Sequence, residues 1–145
     1  SKEGQHLRKD LSKRLSKLRL MTKRVSKRAP QVIVVHRKRL IERLSKADID
    51  VHDVNDERFL REVVYFTDRS DITEELTRLE SHFEQMESCL TVAEPVGRKL
   101  DFLAQEMFRE VNTIGSKAND SVISNEVVAL KTELEKIREQ VQNVE

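Results

Sequence analysis

"DSVISNEVVALKTELEKIREQVQNVE", residues 120–145, carries an apolar side chain at alternating steps of four and three: Ile123, Val127, Leu130, Leu134, Ile137, Val141 and Val144. That interval holds one seam of an α-helix against a neighbouring helix, and Asn119 or Asp120 offers a side-chain oxygen to cap its start. The seam packs either within the chain, as an antiparallel hairpin with residues 71–92 or 97–117, or against a second chain. Immediately upstream, "GRKLDFLAQEMFREVNTIGSK" at 97–117 repeats the period with Leu100, Leu103, Met107, Val111 and Ile114.

Working outward, the same spacing recurs in Ile72, Leu76, Leu79, Phe83, Met86 and Leu90, with Asp71 and Glu74 at capping-box spacing. A new helix starts there, or one helix runs through from the apolar positions Phe59 to Phe66. "ADIDVHDVND", 47–56, has no helical period and reads as a loop. At the N-terminus Leu7, Leu11, Leu15, Leu18, Met21 and Val25 trace a first helix that should end near Ala29, because proline disfavours helix in the residue before it. Pro30 then suits the first turn of a second helix through Leu44, with a short strand at the β-branched run Val32–Val35 as the alternative.

Three Gly, two Pro and 37% charged residues leave too few turn formers for a sheet. The expected class is all-α: an elongated multi-helix bundle with long helical hairpins and a C-terminal heptad helix. Its expected divisions are a basic helical arm at 1–46, a linker and connecting helix at 47–70, and a helical domain at 71–145. No apolar run approaches a membrane span or a signal peptide, so a cytoplasmic protein is expected. Cys89 is the only cysteine and has no disulfide partner in the chain.

A formal net charge of +1 conceals a division. Residues 1–46 hold 16 Lys and Arg against three acids, and the remainder holds 11 against 23. Such asymmetry points either to a polyanion or to association of arm and body. Lys9, Lys13, Lys17, Arg24 and Arg28 fall along one side of the first helix, a row that could follow a phosphate backbone.

Chemistry-bearing motifs are scarce. There is no Gly-rich phosphate loop, HExxH, paired CxxC or nucleophile elbow, and the four His are scattered. The wet side of 97–117 is the anomaly: Arg98, Asp101, Gln105, Arg109, Asn112 and Ser116 stand where a merely solvated helix would carry Glu and Lys. Glu106 and Glu110 lie one turn apart, a spacing that suits a divalent cation or an ordinary ion-paired surface. Phe102 falls among the polar groups, where it would stack on a base or be buried at a contact.

"EGQHLRKDL" at 3–11, "DITEELTRLESH" at 71–82, "GRKLDFLAQEMFREVNTIGSKAND" at 97–120 and "LEKIREQVQNVE" at 134–145 resemble the C-terminal half of the YicC/YloC family of bacterial endoribonucleases. The resemblance implies a metal-assisted endoribonuclease that cleaves RNA phosphodiesters, using Mn2+ or Mg2+, as a homo-oligomer, a hexamer, with RNA held in a channel. It also implies an α/β region ahead of the "EGQ" segment. Matched by position, Arg98, Lys99, Phe102, Gln105, Arg109, Asn112, Ser116 and Lys117 are the expected RNA-binding residues. Asp101, Glu106 and Glu110 are the expected catalytic carboxylates, with Glu106 and Glu110 as metal ligands. Phe108 departs from the pattern, standing where a polar residue is expected. A non-catalytic RNA-binding or structural oligomerisation domain is the alternative reading.

Overall fold

Side chains spaced three and four apart decide where each helix turns its dry face. The computed structural model describes residues 2–47, 56–91 and 97–143. They form α1 (Lys2–Lys46), α2 (Glu57–Ser70), α3 (Thr73–Leu90), α4 (Gly97–Ala118) and α5 (Ser121–Gln142), with no strand among the described residues. The all-α expectation holds. Most of the loop expected at 47–56 lies outside the described residues, as does Val144.

Four helices make an up-and-down bundle. α1 packs on α3 and α5, and α4 packs on the same two, so α1 and α4 face each other across the diagonal. Cross-helix pairs fix the directions. Arg14 meets Glu133 while Arg28 meets Asp120, so α1 and α5 are antiparallel. Glu75 meets Lys117 and Arg78 meets Glu110, so α3 and α4 are too. Leu18, Val25, Leu79, Phe83, Met86, Met107, Ile114, Leu134 and Ile137 are all 0% exposed. Each such burial stabilises by about 1.5–3 kcal/mol, so the four seams together select this arrangement. The α5 heptad is one of them: Ile123, Val127, Leu130, Leu134, Ile137 and Val141 are buried within the chain, against α4 and α1.

The expected break at Pro30 does not occur. α1 is one helix of 45 residues containing Pro30, about 68 Å at 1.5 Å per residue, and the strand alternative at Val32–Val35 fails with it. Proline removes one backbone hydrogen bond to the preceding turn. Burial on either side offsets that loss, because Val25 and Val32 lie on the same face at 0% and 6% exposure. The bundle nevertheless ends here: Arg28 pairs with the first capping residue of α5, and Pro30 and Ile33 line a groove with Ile72 and Thr73 at the start of α3. The remainder of α1 projects, flanked by α2. There the His36 and Phe66 rings stack at 3.5 Å and 3°, and the Arg37 guanidinium sits 5.7 Å above the Phe59 ring.

Chain reversals are local chemistry. Between α2 and α3, Asp71 accepts hydrogen bonds from the Thr73 amide (3.0 Å) and hydroxyl (2.6 Å), which breaks the run into two helices. Those bonds hold the Asp71 carboxyl below its ordinary pKa, the Thr73 hydroxyl contributing most. Between α4 and α5, Asn119 takes φ 45, a left-handed conformation that asparagine tolerates. Asp120 then caps α5 by accepting from the Ile123 amide at 3.1 Å. Gly115 lets α4 and α5 approach: a Cβ added there would sit 3.1 Å from Val127 Cγ1. Cys89 is a buried free thiol. Among the described residues, no helix is long and apolar enough to cross a membrane.

Candidate functional site

α4 buries Leu100, Leu103, Met107, Val111 and Ile114, and the opposite side of a 3.6-residue helix must then face outward. Six exposed residues occupy it at steps of four, three, four, three and four: Arg98, Phe102, Gln105, Arg109, Asn112 and Ser116. The stripe is about 27 Å long at helical rise. Phe102 is 57% exposed, so the expectation of burial at a contact is not met within this chain. Lys99 is also exposed, at the flank nearer α3.

The carboxylates flank this stripe and are held by cations. Asp101 accepts from Gln105 (3.0 Å) and from Arg138 of α5 (3.3 Å), which fixes the start of the stripe to the neighbouring helix. Glu106 pairs with Arg109 at 3.3 Å; its side chain is 24% exposed against 76% for the arginine. Glu110 turns inward: only 12% of its side chain is exposed, and one oxygen accepts from Arg78 Nε of α3 at 2.9 Å. Lys117 also turns to α3, where its ammonium lies 2.7 Å from the buried Glu75 carboxylate. That hydrogen bond raises the Lys117 pKa, and the bond to Glu110 likewise raises that of Arg78. Asn112 faces outward, and the Ser116 hydroxyl donates to the Thr113 carbonyl at 3.1 Å.

The expected and newly found groups therefore sort by direction rather than by type. Arg98, Lys99, Phe102, Gln105, Arg109, Asn112 and Ser116 are brought together on one outward surface, with Glu106 at its edge. Glu110 and Lys117 instead join Glu75 and Arg78 in a four-membered ion network on the α3 side. A resident divalent ion does not fit Glu106 and Glu110 as they stand. Each carboxylate already carries an arginine, and among the described residues no three His, Cys, Asp or Glu side chains converge. Hard cations need several oxygen donors.

The charge division of the sequence is largely internal. Arg14 donates to Glu133 (3.0 Å) and Gln140 (3.1 Å), Arg19 reaches Glu87 (2.8 Å), Arg24 reaches Glu126 (3.8 Å), and Arg28 forms two 3.0 Å bonds with Asp120. The arm is clasped to the body. The row expected to follow a phosphate backbone thus gives up Arg24 and Arg28 to this clasp.

Residues 25–145 match the family model described as "Endoribonuclease YicC-like, C-terminal". The chain belongs to the YicC-like endoribonuclease family. It is 42% identical over 145 residues to the "Probable endoribonuclease YicC" of Clostridioides difficile (strain 630), which covers all of this chain and 50% of that relative. It is 35% identical over 144 residues to the protein of the same name from Haemophilus influenzae (strain ATCC 51907 / DSM 11121 / KW20 / Rd), covering 99% of this chain and 49% of that relative. The chain thus spans about half the length of the curated relatives it matches.

In this YicC-like helix Phe108 is partly buried against the core, which explains an apolar side chain beside the polar stripe. Three partners of the family motif escaped the sequence reading: Glu75, Arg78 and Arg138. Glu75 left a signal, since it lies three residues after Ile72 and four before Leu79, inside the buried period, and is 2% exposed. Arg78 and Arg138 are ordinary surface cations by spacing, and only the packing of α4 between α3 and α5 gives them partners.

Proposed function

We propose that this chain is the RNA-holding helical part of an endoribonuclease and that the outward stripe of α4 is its contact surface. One observation carries the reading: an exposed aromatic sits in a row of Arg, Gln, Arg, Asn and Ser, on the only side of α4 that packing leaves open. Arg98, Lys99 and Arg109 neutralise phosphates, Phe102 offers a face for base stacking, and Gln105 and Asn112 hydrogen-bond sugar or base edges. The names of the curated relatives support RNA as the polymer and strand cleavage as the activity of the longer protein.

Glu106 is the carboxylate placed to act at the edge of this surface. Releasing Arg109 to a phosphate would free it to orient or deprotonate the attacking hydroxyl, while the arginine stabilises charge developing on phosphorus. A divalent ion, Mn2+ or Mg2+, would supply Lewis-acid chemistry when RNA oxygens complete its shell. The projecting α1–α2 hairpin exposes Val34 (66%), Leu60 (41%), Val64 (56%) and Tyr65 (57%), and this apolar surface supports self-association of the chain.

Fluorescence anisotropy with a labelled single-stranded RNA tests the contact surface. Phe102→Ala should weaken binding about tenfold or more, since one base stack is worth about 1–3 kcal/mol, with helicity and melting unchanged. Cleavage by a form carrying the relatives' other half, assayed with manganese and with a chelator, should fall in Glu106→Gln while affinity holds. Unchanged RNA affinity in both Phe102→Ala and Arg109→Ala rejects the α4 surface.

A further inference from the structure

α1 sorts its two kinds of cation by direction. Arg14, Arg19, Arg24 and Arg28 reach acids on α3 and α5, whereas Lys9, Lys13, Lys17, Lys23 and Lys27 are all exposed and make no ion pair with the described residues. Their spacing explains this. At 100° per residue the core positions Leu11, Leu15, Leu18 and Val25 lie on one side, and the five lysines fall around the opposite one. The lysines run from residue 9 to 27, about 27 Å of helix at 1.5 Å per residue. No acidic residue occurs in α1 between Asp10 and Glu42.

The flanking helices do not neutralise the row either. Glu87, Glu126 and Glu133, the acids nearest to α1, are engaged by Arg19, Arg24 and Arg14. The guanidiniums consume the body's negative charge with planar, forked contacts, and the compact ammonium groups are left facing water. A lysine row with its counter-charges removed produces a strip of positive potential with no contribution to holding the fold.

We infer that the lysine row of α1 is a second RNA surface, a backbone track that binds phosphates without reading bases. It rests on the reading of RNA as the ligand, but not on the α4 surface. No aromatic residue occurs in α1, so stacking has no part in it. Because α1 and α4 are diagonal in the bundle, the two surfaces point in opposite directions. A short RNA therefore occupies one or the other of them on a single chain, and their contributions are independent.

The test uses the 145-residue chain and a labelled single-stranded RNA titrated across a series of KCl concentrations. Replacing Lys9, Lys13, Lys17 and Lys27 together by Gln should reduce the slope of log affinity against log salt by roughly 3, at about 0.7 for each phosphate that is no longer neutralised. Low-salt affinity should fall at least about tenfold, with circular dichroism and melting temperature unchanged, because these lysines pair with nothing in the fold. Phe102→Ala should lower affinity with the wild-type salt slope. A quadruple variant with wild-type slope and affinity overturns the track, as does a wild-type chain that binds no RNA at low salt. Weakened binding in the quadruple variant with no effect of Phe102→Ala and Arg109→Ala retains the track and rejects the α4 surface instead.

Discussion

Removing Asp120 should unclasp the arm and fray α5 in one step. Its side chain is 8% exposed and does two things: it accepts from the Ile123 amide as the cap of α5, and it takes two hydrogen bonds from Arg28 of α1. Loss of a cap costs about 1 kcal/mol, and loss of a charge-assisted hydrogen bond about 1.5–3 kcal/mol. Asp120→Ala should therefore cost about 2.5–4 kcal/mol. Asp120→Asn keeps an efficient cap and loses only the charge, so it should cost about 1–2 kcal/mol less than the alanine variant. Urea unfolding followed by far-ultraviolet circular dichroism gives both numbers.

The pH dependence supplies an independent check. The Arg28 hydrogen bonds, first among the causes, hold the Asp120 carboxyl below its ordinary value of 3.8. A carboxylate with a depressed folded pKa contributes stability that is present above the unfolded value and lost as pH falls through the folded one. Wild type and Asp120→Asn should therefore converge below about pH 4 and differ at neutral pH. An alanine variant within about 0.5 kcal/mol of wild type, or an asparagine variant as damaged as alanine, refutes the clasp; the threshold is roughly the error of such comparisons.

Three further outcomes follow from the packing. Glu110→Gln should lower the melting temperature by several degrees by leaving Arg78 without its partner, whereas Glu106→Gln should leave it unchanged; equal melting by differential scanning calorimetry would return Glu110 to the site. Burial first of all depresses the His36 pKa from 6.5, with Arg39 and Arg43 adding to this and Glu62 opposing it. Stability of the His36–Phe66 contact should then be present above pH 6.5 and decline as pH falls through the folded value, and His36→Phe should remove that dependence in hydrogen exchange of α2. Gly115→Ala should be destabilising in wild type, where the β-branched Val127 cannot rotate away, yet stabilising by up to about 1 kcal/mol in a Val127→Ala background; identical effects in the two backgrounds would exclude the contact.

Periodicity made most of this bundle legible. The seams of α3, α4 and α5 are buried where their spacing put them, because a helix fixes direction from residue number alone. Pro30 misled because its penalty is one local hydrogen bond, and the sequence does not show that the apolar face of α1 continues past it onto the same neighbours. Charge was the other limit. Composition counts cations but does not reveal that four arginines find acids on other helices while five lysines find none among the described residues. Glu106 and Glu110 looked equivalent for the same reason, and only the position of Arg78 on α3 separates them.

Pro30 lies where lateral support for α1 gives out, and it is also where the helix lacks a rung of its own ladder. A rod weakened at its point of emergence bends there first. The outer segment, residues 33–46 with α2 alongside, can swing as a mast on a fixed deck, so copies joined through their masts would tolerate a range of separations while each deck keeps its shape.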